Sequence, residues 1–117
     1  DFANKVSKVV VKIGSAVLAT PDEGIHSEKI RGLATEIAAL MAKKVKVVLV
    51  SSGAIAVGRE TMGMTRRIEG IPEKQAAAAI GQPRLMALYD TFFREKKVQV
   101  SQILLTRDDL NHRRRYL

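Results

Sequence analysis

The sequence predicts an α/β domain built on a largely parallel sheet. Three observations carry this expectation. Two short β-branched runs, Val9–Ile13 and Val45–Val50, have the composition of buried strands. A single stretch with helical periodicity separates them, in the order and length of a strand–helix–strand crossover. The alternation then continues, with helix-forming sequence followed by a third apolar run at Val98–Leu105.

The first strand is expected at Val9–Ile13, ending at Gly14, and Thr20, Pro21, Asp22, Glu23 and Gly24 read as a loop. Ser27 is placed to N-cap a helix running to about Lys44. Ile30, Leu33, Ala34, Ile37, Leu40 and Met41 form its apolar stripe, and Lys43 and Lys44 suit the negative end of its dipole. After the second strand, Ser51, Ser52 and Gly53 turn the chain into a short helix beginning near Ala54. A polar loop with Gly and Met follows, and Pro72 opens the next helix at a favoured first position. Gly81 and Pro83 are expected to break or kink that helix before it resumes over LMALYDTFFREKK. Thr106 then caps a last helix with Asp108 and Asp109 in its first turn.

The 117 residues have the size of one domain, without internal repeats, low-complexity linkers or a run long enough to span a bilayer. Three strands are few for a parallel sheet, whose faces must both be covered and whose edges must be protected. With the last helix only begun at the chain end, the sequence reads as the first part of a larger fold. There is no initiator Met, and DFANKVSK lacks the apolar segment of a secretory signal. The absence of Cys rules out a disulfide framework and thiolate metal sites, so a soluble cytoplasmic protein is expected.

A net charge of +8 attracts anions, whether nucleic acid or phosphorylated metabolites. The charge is clustered at Lys43, Lys44 and Lys46, at Arg66 and Arg67, and at Arg113, Arg114 and Arg115, where a solvated surface is the plain alternative. Aromatic residues are 4% of the chain with no Trp, which leaves few stacking platforms for single strands.

Ligands of open parallel sheets collect beyond the carboxyl ends of the strands. Lys12-Ile13-Gly14-Ser15 lies at one such end and Ser51-Ser52-Gly53-Ala54 at the next, where it opens a helix. Helix N-termini favour carboxylate or phosphate, glycine allows close approach, and lysine supplies a mobile positive charge. Together these elements make an anion-binding crevice with hydroxyls from Ser15, Ser51 and Ser52. Taken singly, each has a plainer explanation: a strand-end lysine is usually solvated, and an SSG turn is usually a cap. Other chemistry is poorly supplied. Neither GxxxxGK[ST] nor GxGxxG occurs. His26 and His112 lack metal-ligand spacing, the methionines read as core or loop filler, and no metal site is expected. RRRYL alone does not make a nucleic-acid module.

The motifs VVVKIGSAVL, VVLVSSGAIAVG, KQAAAAIGQPRLM and QILLTRDDL together resemble the amino-terminal part of the amino acid kinase family, from about Val9 to the last residue. The first two are shared widely in that family. The last two are more particular to its branch that phosphorylates glutamate. The resemblance implies a three-layer αβα sandwich with a mainly parallel sheet, incomplete in this chain. It also implies ATP-dependent phosphorylation of the L-glutamate side-chain carboxylate, the first step towards proline, with ATP and Mg²⁺ required and a homo-oligomeric intact enzyme. Position by position, Lys12 matches the catalytic lysine at the transferring phosphates, and Gly14 and Ser15 the rest of that phosphate-binding loop. Ser52, Gly53 and Ala54 match the segment that holds glutamate. Residues 1–117 would then be the substrate-side portion, inactive alone, without the carboxyl-terminal ATP-binding portion. The alternatives are another member of the family, acting on acetylglutamate or uridylate, and a basic nucleic-acid-binding module.

Overall fold

A computed structural model describes residues 5–64, 68–105 and 107–111. Strand β1 (Lys8–Ile13) leads into a one-turn helix, α1 (Ser15–Leu18), and then into a small hairpin of β2 (Ala19–Thr20) and β3 (Gly24–Ile25). Helix α2 (Ser27–Ala42) precedes β4 (Lys46–Ser51), and α3 (Ala54–Thr61), α4 (Ile71–Glu95) and α5 (Arg107–Asn111) complete the order. Strands β1 and β4 pair in parallel, with Lys8 opposite Lys46 and Lys12 opposite Val50. The chain is therefore α/β with a parallel sheet, as expected from its two β-branched runs. No helix among the described residues is long and apolar enough to cross a membrane.

Successive strand side chains point to opposite faces, which gives the sheet two unlike sides. Ile13, Val47 and Leu49 pack against a core formed by Leu18, Ile30, Ala34, Ile37, Val57, Leu85, Tyr89, Phe92 and Phe93. The other face carries Val10, Lys12, Val48 and Val50, all exposed. Among the described residues the sheet thus forms two layers with the helices, and the strands are half-buried where full burial was expected.

Helices α3 and α4 approach so closely that a Cβ on Gly58 would lie 1.8 Å from the Ala77 carbonyl oxygen. One on Gly81 would lie 1.7 Å from that of Ala54. This corrects the reading of Gly81 and Pro83 as a break, because α4 is one helix through both. Pro83 forfeits one backbone bond, while Gly81, Leu85 and Tyr89 stay buried on the same helix, and that packing holds it continuous. The N-cap of α2 is His26 rather than Ser27. The His26 N–H donates to the Leu18 carbonyl (2.8 Å), and its own carbonyl accepts from Lys29 and Ile30, which moves the boundary one residue upstream.

Helix α2 also stops short of Lys44. Lys44 takes a left-handed φ of 64°, its N–H donates to Met41, and the Val45 N–H reaches back to Leu40, which is a Schellman ending. Helix α4 ends in the same way, with Lys97 at φ 59° and Val98 donating to Phe93. Both endings use the sequence Lys-Lys-Val. The third strand expected at Val98–Leu105 does not form. Val98 and Val100 pack on the core, Ile103, Leu104 and Leu105 are exposed, and the segment joins no ladder. Its alternation is that of an extended chain, but no neighbouring strand supplies the hydrogen bonds. Thr106, His112, Arg66, Arg67 and Arg113–Arg115 lie outside the described residues.

Candidate active site

The parallel register places the ends of β1 and β4 side by side, Ile13 opposite Ser51. The turns that follow are joined by hydrogen bonds. The Ser52 N–H donates to the Ile13 carbonyl at 3.3 Å, and the Ser52 hydroxyl reaches the same oxygen at a long 3.5 Å. Gly53 caps α3 at φ 125°, a conformation that disfavours a side chain. A Cβ there would also meet Leu18 Cδ1 at 2.7 Å and Ser15 Cα at 3.6 Å. Glycine at 53 thus lets the second turn sit against the first.

The result is an open cleft lined by Ser15, Ser52, Gly53, Ala54, Ile55, Ala56, Arg59, Ile68, Lys74 and Ala78. Four of the six site residues expected from sequence, Ser15, Ser52, Gly53 and Ala54, share it. Lys12 and Gly14 do not line it. Lys12 stands exposed on the open sheet face across from Val50, and Gly14 is the exposed N-cap of α1. The cleft has cationic character from Arg59 and Lys74 and from the N-terminal end of α3.

Sequence reasoning did not single out Arg59 or Lys74. Lys74 carried a usable signal: it lies in the first turn of α4, where the helix dipole disfavours a cation, so helix formation does not explain it. Arg59 carried none, because its place on the cleft depends on how α3 packs. Tyr89 was also missed. It is 4% exposed, and its hydroxyl lies 2.8 Å from the Ser51 Oγ. Burial raises its pKa above the usual tyrosine value, so it keeps its proton at neutral pH.

The sequence profile of the amino acid kinase family matches residues 7–117. Among relatives, the glutamate 5-kinase of Citrifermentans bemidjiense is 48% identical over 116 residues, covering 99% of this chain and 31% of that protein. The glutamate 5-kinase of Geobacter sulfurreducens is 49% identical over 114 residues, covering 97% of this chain and 31% of its own length. That of Pelobacter propionicus is 52% identical, covering all of this chain and again 31% of the relative. The chain spans about 31% of the length of these curated relatives. With the family profile running over nearly every residue and both strand-end turns in place, this chain belongs to the amino acid kinase family.

Proposed function

We propose that this chain is the acceptor-side portion of a cytoplasmic, homo-oligomeric kinase that transfers the γ-phosphoryl of ATP to the side-chain carboxylate of L-glutamate. The product is γ-glutamyl phosphate, the first step towards proline. The observation that carries the proposal is the junction of the two strand-end turns through Ser52 and the Ile13 carbonyl. It brings the Ser15 and Ser52 side chains and the N-terminus of α3 to one cleft. The names of the relatives support glutamate as the acceptor.

In this reading the acceptor carboxylate sits at Ser52, Gly53 and Ala54, with its charge offset by the helix end. Lys12, Gly14 and Ser15 meet the transferring phosphates. Phosphoryl transfer asks the protein mainly for positioning and charge neutralisation, and a lysine with a mobile head supplies the second. Gly14 fits such a role. Its φ of −77° suits any residue, and a Cβ there would meet nothing within 4 Å. The chain's own packing therefore sets no need for glycine at 14, whereas close approach by a phosphate does. Among the described residues no three His, Cys, Asp or Glu converge to hold a metal. In this reading Mg²⁺ enters as part of the MgATP substrate, and no step is assigned to it on these residues.

In this reading most of the ATP pocket belongs to a carboxyl-terminal portion outside these 117 residues, so the chain is expected to show no turnover alone. A coupled ADP-release assay on the full-length protein tests the proposal with glutamate, acetylglutamate and uridylate as acceptors. Glutamate-dependent release is expected. Release with another acceptor and none with glutamate would overturn it.

A further inference from the structure

The Ser51 Oγ lies 3.2 Å from the carbonyl oxygen of Ser52 and 2.8 Å from the Tyr89 hydroxyl. A serine hydroxyl has one hydrogen, and a carbonyl can only accept. Ser51 therefore donates to the Ser52 carbonyl, and Tyr89 donates to Ser51. The chain Tyr89 O–H to Ser51 O–H to Ser52 C=O ends on the Ser52–Gly53 peptide. In a trans peptide the N–H points opposite to the C=O. Holding the carbonyl on the Ser51 side thus turns the Gly53 N–H away from Tyr89, and Ser52 and Gly53 both line the cleft.

We propose that Tyr89 is a positioning residue, acting through Ser51 to hold the Ser52–Gly53 peptide with its N–H towards the acceptor carboxylate. The inference rests on the glutamate-kinase reading for its ligand but not for its geometry. The features of the pair fit the role. Tyr89 projects from the C-terminal third of α4, is nearly fully buried, and lies 38 positions from Ser51 in sequence. Its ring is held against Phe93, with centroids 6.3 Å apart, so the hydroxyl has a rigid base.

The test uses Tyr89→Phe, Ser51→Ala, Ser51→Thr and the Tyr89→Phe/Ser51→Ala pair in the full-length protein. Tyr89→Phe keeps the ring and its packing and removes only the hydroxyl. It should raise KM for glutamate about three- to tenfold, the fold-change of one neutral hydrogen bond. KM for ATP should stay unchanged, a split that a general loss of folded protein would not produce. Ser51→Ala should match it, the double variant should go no further, and Ser51→Thr should restore the wild-type value. An unchanged KM for glutamate, or independent multiplying effects, would overturn the relay while leaving the kinase reading intact. If the wild-type protein shows no glutamate-dependent ADP release, the functional reading fails and the relay is judged by the crystal structure of Tyr89→Phe. A Ser52–Gly53 peptide turned from its wild-type orientation supports it, and an unmoved peptide rejects it.

Discussion

Lys12 reaches solvent near the carboxyl end of a strand ladder because alternate side chains leave opposite faces of a sheet. It shares the open face with Val10 and stands across from Val50, while its neighbours Val11 and Ile13 turn to the half-buried side. No burial cost therefore explains or opposes a charge at this position. If Lys12 neutralises the transferring phosphoryl, Lys12→Ala in the full-length protein should lower kcat by roughly 10²- to 10³-fold. In the 117-residue chain, where the side chain is exposed, the same substitution should change the unfolding free energy by no more than about 0.5 kcal/mol. Steady-state kinetics beside urea unfolding check both, and near-normal kcat would remove Lys12 from the mechanism. At this scale the sequence brought Ser15, Ser52, Gly53 and Ala54 to one cleft but not Lys12 or Gly14. A cation inside a valine run, followed by Gly14 and Ser15, is a local signal. Tyr89 was not legible, because its hydroxyl matters only through a contact 38 residues away.

Helices α3 and α4 show why glycine has opposite meanings at different places. Gly81 lies where α4 crosses the start of α3, and an added Cβ would also come within 2.5 Å of the Gly58 nitrogen. Those neighbours are backbone atoms and cannot rotate aside, so Gly81→Ala must push the helices apart, at a cost of about 3 kcal/mol. Gly32 lies on the exposed face of α2, and a Cβ there would meet nothing within 4 Å. Gly32→Ala should therefore stabilise by about 0.5–1 kcal/mol through helix propensity alone. Urea midpoints of the two variants should move in opposite directions, and a shift of the same sign for both would refute this packing account. Displacing Ala54 would also disturb the cleft, since that residue lines it. The sequence marked Gly81 as special but misread the reason, because GQP resembles a helix break and the partner helix is not visible locally. The Val98–Leu105 run was misread for a related cause. Its β-propensity is real, but strand formation needs a neighbour to complete the ladder. The β1–α2–β4 unit was legible because strand composition and the α2 stripe are local patterns that agree with the packing.

For the whole molecule, the decisive feature is the uncovered side of the sheet. Val10 and Val48 lie in direct register, 69% and 60% exposed, and Val50 beside them is 47% exposed. Adjacent exposed valines on one sheet face form a patch, unlike single apolar residues scattered over a surface. A two-stranded sheet with one bare face is a marginal structure in water. The relatives are about three times as long as this chain, so in them further residues exist that can cover such a face. The 117-residue chain should accordingly bind the uncharged apolar dye Nile red. A neutral dye matters here, because the net charge of +8 would draw an anionic one to the protein for reasons unrelated to the patch. The signal should persist at about 1 M salt, where the screening length falls to about 3 Å, since apolar binding does not depend on charge attraction. Val10→Thr together with Val48→Thr keeps β-branching, and hence strand propensity, while adding hydroxyls to the face. That pair should lower the dye signal with unchanged far-ultraviolet circular dichroism. A protein of the relatives' length, in which the further residues cover this face, should show a weaker signal than the isolated chain. Equal signals from the chain and its double-threonine variant would mean that the dye binds elsewhere. Equal signals from the chain and the full-length protein would mean that this face stays bare, and that the layer expected on it is built some other way.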